Sequence, residues 1–487
     1  MSALDEIRAE RLRKLALLEE KGINPYPNRS ARTHEIGSVL QDFETLSAEE
    51  SAVIVNGRIR AIRKHGGSAF LDIEDGTGRV QVFFKKDEIG EELFSLFEET
   101  VDTGDFLEVS GTVFRTKHGQ ESIQATAWRM LAKTLRPIPD EWYGLHNEDE
   151  RFRRRYLDML LNPEVASIAR KRSLFWNAMR SYLLQKDFVE VETPVLENTT
   201  GGAEARPFET HHNALDIDVY LRISAGELWQ KKLLVGGLPK VFEIGRIFRN
   251  EGMSREHLQD YTQMEFYQAY SDYEEGKNLI ADLYRHIAQE TFGTTSFTIG
   301  EHTVDLSSDW ETYDFCQILQ KEYSIDPLTT SLEEVIAALR KAGIEKEGES
   351  MSVERGVDLL WKKVRKTISG PGFLVGVPVY LEPLAKRSEQ NSAVVERFQV
   401  ILAGSEMGKG FSELNNPIDQ RERFIKQQAL RDAGDEEAQM ADMEFVEALE
   451  YGMPPAFGFG LSERLFSFLM NMDVREAQLF PLMRPRE

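Results

Sequence analysis

The sequence predicts an α+β protein built in two parts: a small Greek-key β-barrel, then a larger antiparallel sheet with flanking helices. Three observations carry that expectation. Residues 51–136 hold five short segments of alternating apolar and polar residues around one helical insertion. Residues 161–487 mix helical and strand-like stretches, and many strands follow one another directly, which favours antiparallel pairing over a doubly wound parallel sheet. The chain's 487 residues suffice for roughly two to four domains.

Residues 1–50 read as a charged helical arm. Leu4, Ile7, Leu12, Leu15 and Leu18 recur at near-helical spacing, and Gly22, Pro25 and Pro27 end the helix. Such an arm packs as a surface helix on a neighbouring domain. In residues 51–136, the segments VIVNGRIRAI, SAFLDIED, GRVQVFF, FLEVSGTVFRT and ESIQATAWRML are rich in β-branched and aromatic residues. Gly66-Gly67, Gly76-Thr77-Gly78 and His118-Gly119 mark turns, and Lys86–Val101 is the helical insertion. The pattern suits a five-stranded barrel of the OB type, although a generic barrel or sandwich fits almost as well.

Residues 137–160 connect the two parts, opened by Pro137 and Pro139. RFRRRYLDML at 151–160 and RKR at 170–172 are basic clusters. A charge run is usually a solvated face, but two clusters beside a domain junction could also seat a polyanion. In residues 161–487, helices are expected over 165–186, 273–291, 331–342 and 352–368. Strands are expected in VEVETP, YLRIS, KVFEIGRIFRN, MEFYQAYSDY, GFLVGVPV and VERFQVILAG. No Walker sequence is present and no Gly-x-Gly-x-x-Gly follows a strand, so the two common nucleotide-binding folds lose support.

Composition excludes several classes. Lys and Arg number 59 and Asp and Glu 82, a formal charge of −23, and 41% of residues are hydrophobic. That apolar content supplies a core, so the chain is not disordered. A single cysteine, Cys316, excludes a disulfide framework within the chain and a cysteine-cluster metal site, and fits a reducing cytoplasm. No apolar run approaches the roughly 18 residues of a membrane span. The charged N-terminus MSALDEIRAERLRKLALLEEKG lacks a signal-peptide core. The acidic balance argues against loose nucleic-acid binding, which depends on neutralising phosphates, without excluding a local basic face.

Four segments concentrate charged and aromatic residues inside strand patterns: Val189–Pro194; Phe248–Gly252 followed by His257, Tyr261, Glu265 and Tyr267; Glu406–Asn415; and Phe457–Arg464. Alternation puts Tyr261, Gln263, Glu265 and Tyr267 on one strand face, Lys409, Phe411 and Glu413 on another, and Arg249 with Glu251 on a third. A salt-bridged sheet face explains any one of these; three together make a pocket the better reading. Carboxylates and aromatic faces suit a cationic ligand, and arginines suit phosphate. The residues by themselves therefore imply a small cation meeting a polyphosphate.

These segments resemble the signature motifs of class II aminoacyl-tRNA synthetases. Through THHNALDIDVYLRIS, RIFRNEG, GFSELNNPIDQ and LFPLMRP the whole chain is similar to the bacterial-type class II lysyl-tRNA synthetases. The resemblance implies an anticodon-binding OB domain at 51–136, a class II catalytic domain at 161–487, and a cytoplasmic homodimer joined around Pro194. It implies that L-lysine attacks the α-phosphate of ATP and that the lysyl group then passes to the terminal ribose of tRNA(Lys). Mg2+ is the implied cofactor, and neither membrane nor DNA an implied partner.

By the family's motifs, Arg249 spans the α-phosphate and the lysine carboxylate, Glu251 reads the adenine amino group, and His257 contacts the distal phosphates. Tyr261, at a phenylalanine position of the family, stacks on adenine; Arg464 covers the other adenine face and pairs with the γ-phosphate; Glu406 holds the metal. Glu413 and Tyr267 fall at the ε-ammonium, Glu227 and Glu265 nearer the α-amino group, and Phe411 forms a wall. In the barrel, Phe70 stacks on the central anticodon uridine with Arg63 and Gln81 as polar partners.

The sequence also departs from the family pattern. Gln399 stands for a glutamate that helps hold magnesium, Lys409 for an asparagine near the amino acid, and Trp229 for a tyrosine. The motif-two loop reads REHLQDY, and the strand before Glu227 is one residue longer. These features drift toward the aspartyl and asparaginyl enzymes of the same subclass. Beside lysine–tRNA ligation there accordingly stand an aspartate- or asparagine-specific relative, a synthetase-like enzyme that lysylates protein, and a pure RNA-binding module.

Overall fold

The computed structural model describes residues 3–139, 147–203, 205–252, 254, 256–344, 351–382, 385–433 and 439–486. Residues 140–146 of the expected connection lie outside the described residues. The chain divides into two units, 1–148 and 149–487.

In the first unit, strands β1 (Ala52–His65), β2 (Ser68–Glu74), β3 (Arg79–Lys85), β4 (Phe106–Arg115) and β5 (Glu121–Ala132) close a barrel in the order β1-β2-β3-β5-β4. Alternation does the work: Ala69, Leu71 and Ile73 of β2 point into the core with Val55, Val82 and Val109, while Phe70 and Asp72 face outward. The expected single insertion is two helices, Lys86–Ile89 and Glu91–Thr100. Gly90 separates them with φ of 87°, a left-handed conformation that interrupts a helix and favours glycine.

The N-terminal helix Ala3–Glu20 departs from its apolar pattern. Leu4, Ile7 and Leu12 are exposed, and of its residues only Arg11 and Leu18 are buried. It docks on the barrel chiefly by polar contacts. Arg11 Nη2 donates to the Thr103 carbonyl at 2.9 Å, and Lys14 Nζ lies 2.6 Å from Asp102 Oδ1.

In the second unit, the strands are β6 (Val189–Glu190), β7 (Leu196–Glu197), β8 (Glu209–His212), β9 (Ile217–Leu221), β10 (Lys240–Phe248), β11 (Asp260–Ala269), β12 (Ser296–Ile299), β13 (His302–Asp305), β14 (Glu311–Asp314), β15 (Gly372–Val375), β16 (Arg397–Leu402), β17 (Ser405–Ser412) and β18 (Ala456–Ser462). Eight of them form one sheet in the order β14-β15-β16-β17-β18-β11-β10-β6. Its five inner pairings are antiparallel, and the two edge pairings, β14 with β15 and β6 with β10, are parallel. Two strand expectations shorten: only Val189–Glu190 of VEVETP and Gly372–Val375 of GFLVGVPV pair as strand. The helices Pro163–Gln185 and Tyr273–Phe292 pack on one face over Phe242, Phe266, Phe398, Phe457 and Phe459. Gly276 permits that close approach, since a Cβ there would sit 2.4 Å from the Phe457 ring.

Residues 149–160 form part of this second unit. Arg155 is buried, pairs with Asp158 at 2.8 Å, and donates to the Leu479 and Gln478 carbonyls. Arg151, Arg153 and Arg154 pair with Asp158, Asp149 and Glu150. The basic cluster is therefore largely neutralised by its own segment, and the polyanion reading of 151–155 loses its charge.

Candidate active site

The sheet face away from the long helices floors a cavity of about 600 Å³. Strand alternation builds it. Met264 and Phe266 of β11 enter the core, so Tyr261, Gln263, Glu265 and Tyr267 turn to the cavity. On β18, Gly458 and Gly460 keep the floor low, and Gly408, Lys409 and Phe411 come from β17.

Of the residues singled out in the sequence, Glu227, Arg249, Glu251, His257, Tyr261, Glu265, Tyr267, Glu406, Phe411 and Arg464 all line this one cavity, as do Gln399 and Lys409. Arg249 and Glu251 do so without sharing a strand face as expected, because β10 ends at Phe248. Arg249 is held by its own N–H to the Gln259 carbonyl at 2.7 Å and by Nε to the Ile223 carbonyl at 3.2 Å. Its guanidinium lies 5.8 Å from the Tyr261 ring centre. Trp229 is not among the lining residues; its Nε1 donates to Glu197 at 2.9 Å.

The acidic end holds three buried carboxylates. Glu265 accepts from the Ala225 N–H at 2.8 Å, from Tyr267 OH at 3.0 Å and from Gln263 Nε2 at 2.5 Å. Burial, reinforced by Glu227, still pushes its carboxyl up to about 7. Glu413 lies beneath the floor, and burial pushes it up to about 8 against the pull of Lys231.

Lys231 was not singled out in the sequence. Its Nζ is 2.6 Å from Glu227 Oε1 and 2.6 Å from Glu413 Oε2, within 5.6 Å of the Tyr267 and Phe411 ring centres. Burial alone would lower its affinity for the proton, but Glu227 and Glu413 more than offset that and hold it charged. The two ion-pair partners thus shift in the same direction, the lysine toward charge and Glu413 away from it. The geometry accounts for this, because one ammonium is shared between two carboxylates with a third close by.

The other end is basic. Arg464 pairs with Glu256 and donates to the Glu406 carbonyl at 3.5 Å; burial lowers its affinity for the proton. Glu406 Oε1 accepts from Trp361 Nε1 at 2.7 Å, and its Oε2 accepts from Gln399 Nε2 at 3.3 Å. Arg397 donates to the side-chain amide oxygen of Gln399. Lys409 turns to Glu382 at 3.3 Å, and Arg397 reaches the same carboxylate at 2.7 Å. Among the described residues no cluster of three or more His, Cys, Asp or Glu could hold a metal by itself. Gln399 has both polar groups engaged, Glu382 is taken up by Arg397 and Lys409, and Glu406 Oε2 lies 3.6 Å from Arg365 Nη1. These residues make no protein cage; Glu406 is the carboxylate that would hold a magnesium ion keeping most of its other oxygen ligands from water and substrate.

In the first unit, Phe70 lies on the outer barrel face, half-buried, opposite Arg63 in the strand register. Its ring stacks on Phe83 at 4.6 Å, a partner the sequence reading missed. Arg63 and Arg79 both reach Asp72, each at 3.1 Å. Gln81 is buried and accepts from Ser122 Oγ at 3.1 Å, so its amide oxygen is already committed within the barrel.

Comparison with known proteins agrees with this geometry. Residues 147–484 match the family model of class II tRNA synthetases (D, K and N), and residues 53–131 match an OB-fold nucleic-acid-binding domain. The chain is 43% identical to a lysine–tRNA ligase of Roseiflexus castenholzii over 99% of this chain and all of that protein. It is 42% identical to one of Thermosipho melanesiensis (99% and 96% covered) and 43% identical to one of Moorella thermoacetica (100% and 99% covered). The chain belongs to the class II tRNA synthetases of the D, K and N group.

Proposed function

We propose that the protein attaches L-lysine to tRNA(Lys) in two ATP-dependent steps. The observation that carries this reading is the cavity's polarity: carboxylates Glu227 and Glu265 line it, with Glu413 buried beneath its floor, and Arg249 and Arg464 line it as well. A dicationic amino acid and a polyphosphate fit those two sets of groups by charge alone.

In the first step, a carboxylate oxygen of lysine attacks the α-phosphorus. A new O–P bond forms, the bond to the bridging oxygen breaks, and pyrophosphate leaves with that electron pair. The carboxylate is already a nucleophile, so no general base is required. Arg249 orients the carboxylate against the phosphate and neutralises charge growing on its oxygens. Tyr261 supplies a stacking face for adenine, Glu251 accepts from its amino group, and His257 and Arg464 engage the distal phosphates. Glu406 would hold magnesium, which would supply charge neutralisation at the phosphates. In the second step, the terminal ribose hydroxyl oxygen bonds to the lysyl carbonyl carbon and its proton is released to water; the bond from that carbon to the oxygen shared with phosphorus breaks, and AMP leaves carrying that oxygen, which came from lysine's carboxylate.

An aspartate side chain would meet three carboxylates, and Lys231 is already paired with two of them. That disfavours the aspartate reading. We assign anticodon binding to the barrel's outer face at Phe70 and Arg63, with the Gln81 amide oxygen already taken. We assign catalysis to 161–487 and a dimer contact to the exposed Val189, Val195 and Leu196 beside Pro194. A cytoplasmic enzyme with neither membrane nor DNA as partner fits the reading; no helix among the described residues is long and apolar enough to cross a membrane. Aminoacylation of tRNA with a UUU anticodon tests the reading. Charging with lysine supports it, and lysine-dependent adenylate formation without charging would redirect it to another acceptor.

A further inference from the structure

We propose that Lys231 is a positioning residue that makes Glu227 and Glu413 a matched pair of ammonium acceptors, and so sets the distance between the two ammonium groups a substrate must present. The inference rests on the lysine reading given above.

The geometry is that of a shared pivot. Lys231 takes one oxygen from each carboxylate, Glu227 Oε1 and Glu413 Oε2, both at 2.6 Å. The other oxygen of each turns toward a glycine of the cavity wall. A Cβ on Gly202 would meet Glu227 Oε2 at 3.1 Å, and a Cβ on Gly458 would meet Glu413 Oε1 at 2.1 Å. Both Glu413 oxygens are buried and accept no hydrogen bond; Oε2 has the Lys231 ion pair, and Oε1 has no cation against it. A buried carboxylate oxygen without a donor is costly, and an incoming ammonium relieves it.

Charge counting points the same way. With all three ionised, as when a dication is bound, Glu227, Glu265 and Glu413 set three negative charges against the single positive charge of Lys231, leaving two for the substrate; without a ligand, burial holds Glu265 and Glu413 toward the neutral form. Lysine brings two ammonium groups, and its carboxylate is matched by Arg249. Without Lys231 the pocket would hold one uncompensated carboxylate, and nothing would fix the separation of the two free oxygens.

Lys231 also sits four residues after Glu227 on the helix Glu227–Val235, so its base is rigid relative to one member of the pair. Glu413, just past β17, has its backbone fixed by its N–H to the Ala456 carbonyl at 2.8 Å and by a bridge to Ala385, so the cation orients its side chain alone.

The test is pyrophosphate exchange with lysine and with ornithine, one methylene shorter, in Lys231→Gln and Lys231→Arg. In Lys231→Gln, KM for lysine is expected to rise about tenfold or more and the preference for lysine over ornithine to fall by a similar factor. KM for ATP should stay within about twofold, because the phosphate end is untouched. Lys231→Arg keeps the charge and should retain folding and ATP use while recovering part of the lysine affinity; it carries the test if Lys231→Gln does not fold. An unchanged lysine-to-ornithine ratio in folded variants would overturn the proposal. So would a lower KM for lysine, which would make Lys231 a competitor of the substrate's ammonium. If the unaltered protein shows no lysine-dependent exchange, the lysine reading itself fails.

Discussion

The barrel's outer face and the floor of the catalytic cavity both gather charged and aromatic residues, but they do so under opposite solvation. Arg63 is half-exposed and shares Asp72 with Arg79, and Phe70 stands outward on Phe83. At the cavity's acidic end, Glu265 on the floor and Glu413 and Lys231 beneath it are all buried. A surface ion pair is worth about 0–1 kcal/mol, whereas removing one member of a buried pair costs about 3–5 kcal/mol. The outer face can therefore recognise by stacking, with tolerance for small changes. In the proposed lysine reading, the acidic end recognises by charge count, where one missing charge is felt in full.

The largest expected effect lies at the acidic end. Glu413→Gln removes a charge that Lys231 and the proposed ε-ammonium both use, and should raise KM for lysine by about 100-fold or more, in line with a loss of about 3–5 kcal/mol. KM for ATP in the same exchange assay should hold; a parallel rise would remove the asymmetry between the cavity's ends. Next comes Phe70→Ala, expected to weaken tRNA charging by about 1–3 kcal/mol while lysine-dependent exchange is retained. Equal loss in both assays would merge the two regions into one.

The third effect is pH dependence. Burial is the largest cause of the raised carboxyls of Glu265, at about 7, and Glu413, at about 8. Below those values the folded carboxyls take up protons and lose the charge that lysine requires. KM for lysine should therefore rise as pH falls from 8 to 6, by up to about tenfold per unit for each proton taken up. Stability without ligand runs the other way. The folded protein binds more protons than the unfolded chain between the ordinary carboxylate range and about pH 8, so stability falls as pH rises through that window. A lysine KM flat from pH 6 to 8 would show that these carboxylates do not face the substrate. The smallest effect is Arg63→Ala, which removes one arm of the Asp72 pair and should change thermal stability by about 1 kcal/mol or less.

Much of this was legible in the sequence where alternation or a motif fixes a side chain's direction. Tyr261, Gln263, Glu265 and Tyr267 share a face because strand geometry leaves no alternative. The barrel's strands were legible for the same reason, and its closure is consistent with their number. The apolar spacing of the N-terminal arm located a surface helix correctly but not how it docks, because docking uses Arg11 and Lys14, whose partners lie about ninety residues away. Lys231 was missed because no helix is expected over 227–235 from the sequence, so nothing there brings Lys231 against Glu227, one helical turn earlier. Only the fold reveals that Glu413, far along the chain, closes over the same ammonium. Glu382 was invisible for a similar reason. Nothing in its neighbourhood marks it, yet it takes up both Lys409 and Arg397. The unusual Lys409 is thereby explained as one end of a paired network rather than a charge set against a cationic substrate.

The central claim, that charge count at the acidic end selects the amino acid, is tested most directly by pyrophosphate exchange with the unaltered protein. Lysine, ornithine, norleucine, aspartate and asparagine would be supplied one at a time. The account predicts strong exchange with lysine, weaker exchange with ornithine, and little with norleucine, aspartate or asparagine. Exchange with aspartate or asparagine in preference to lysine would contradict it.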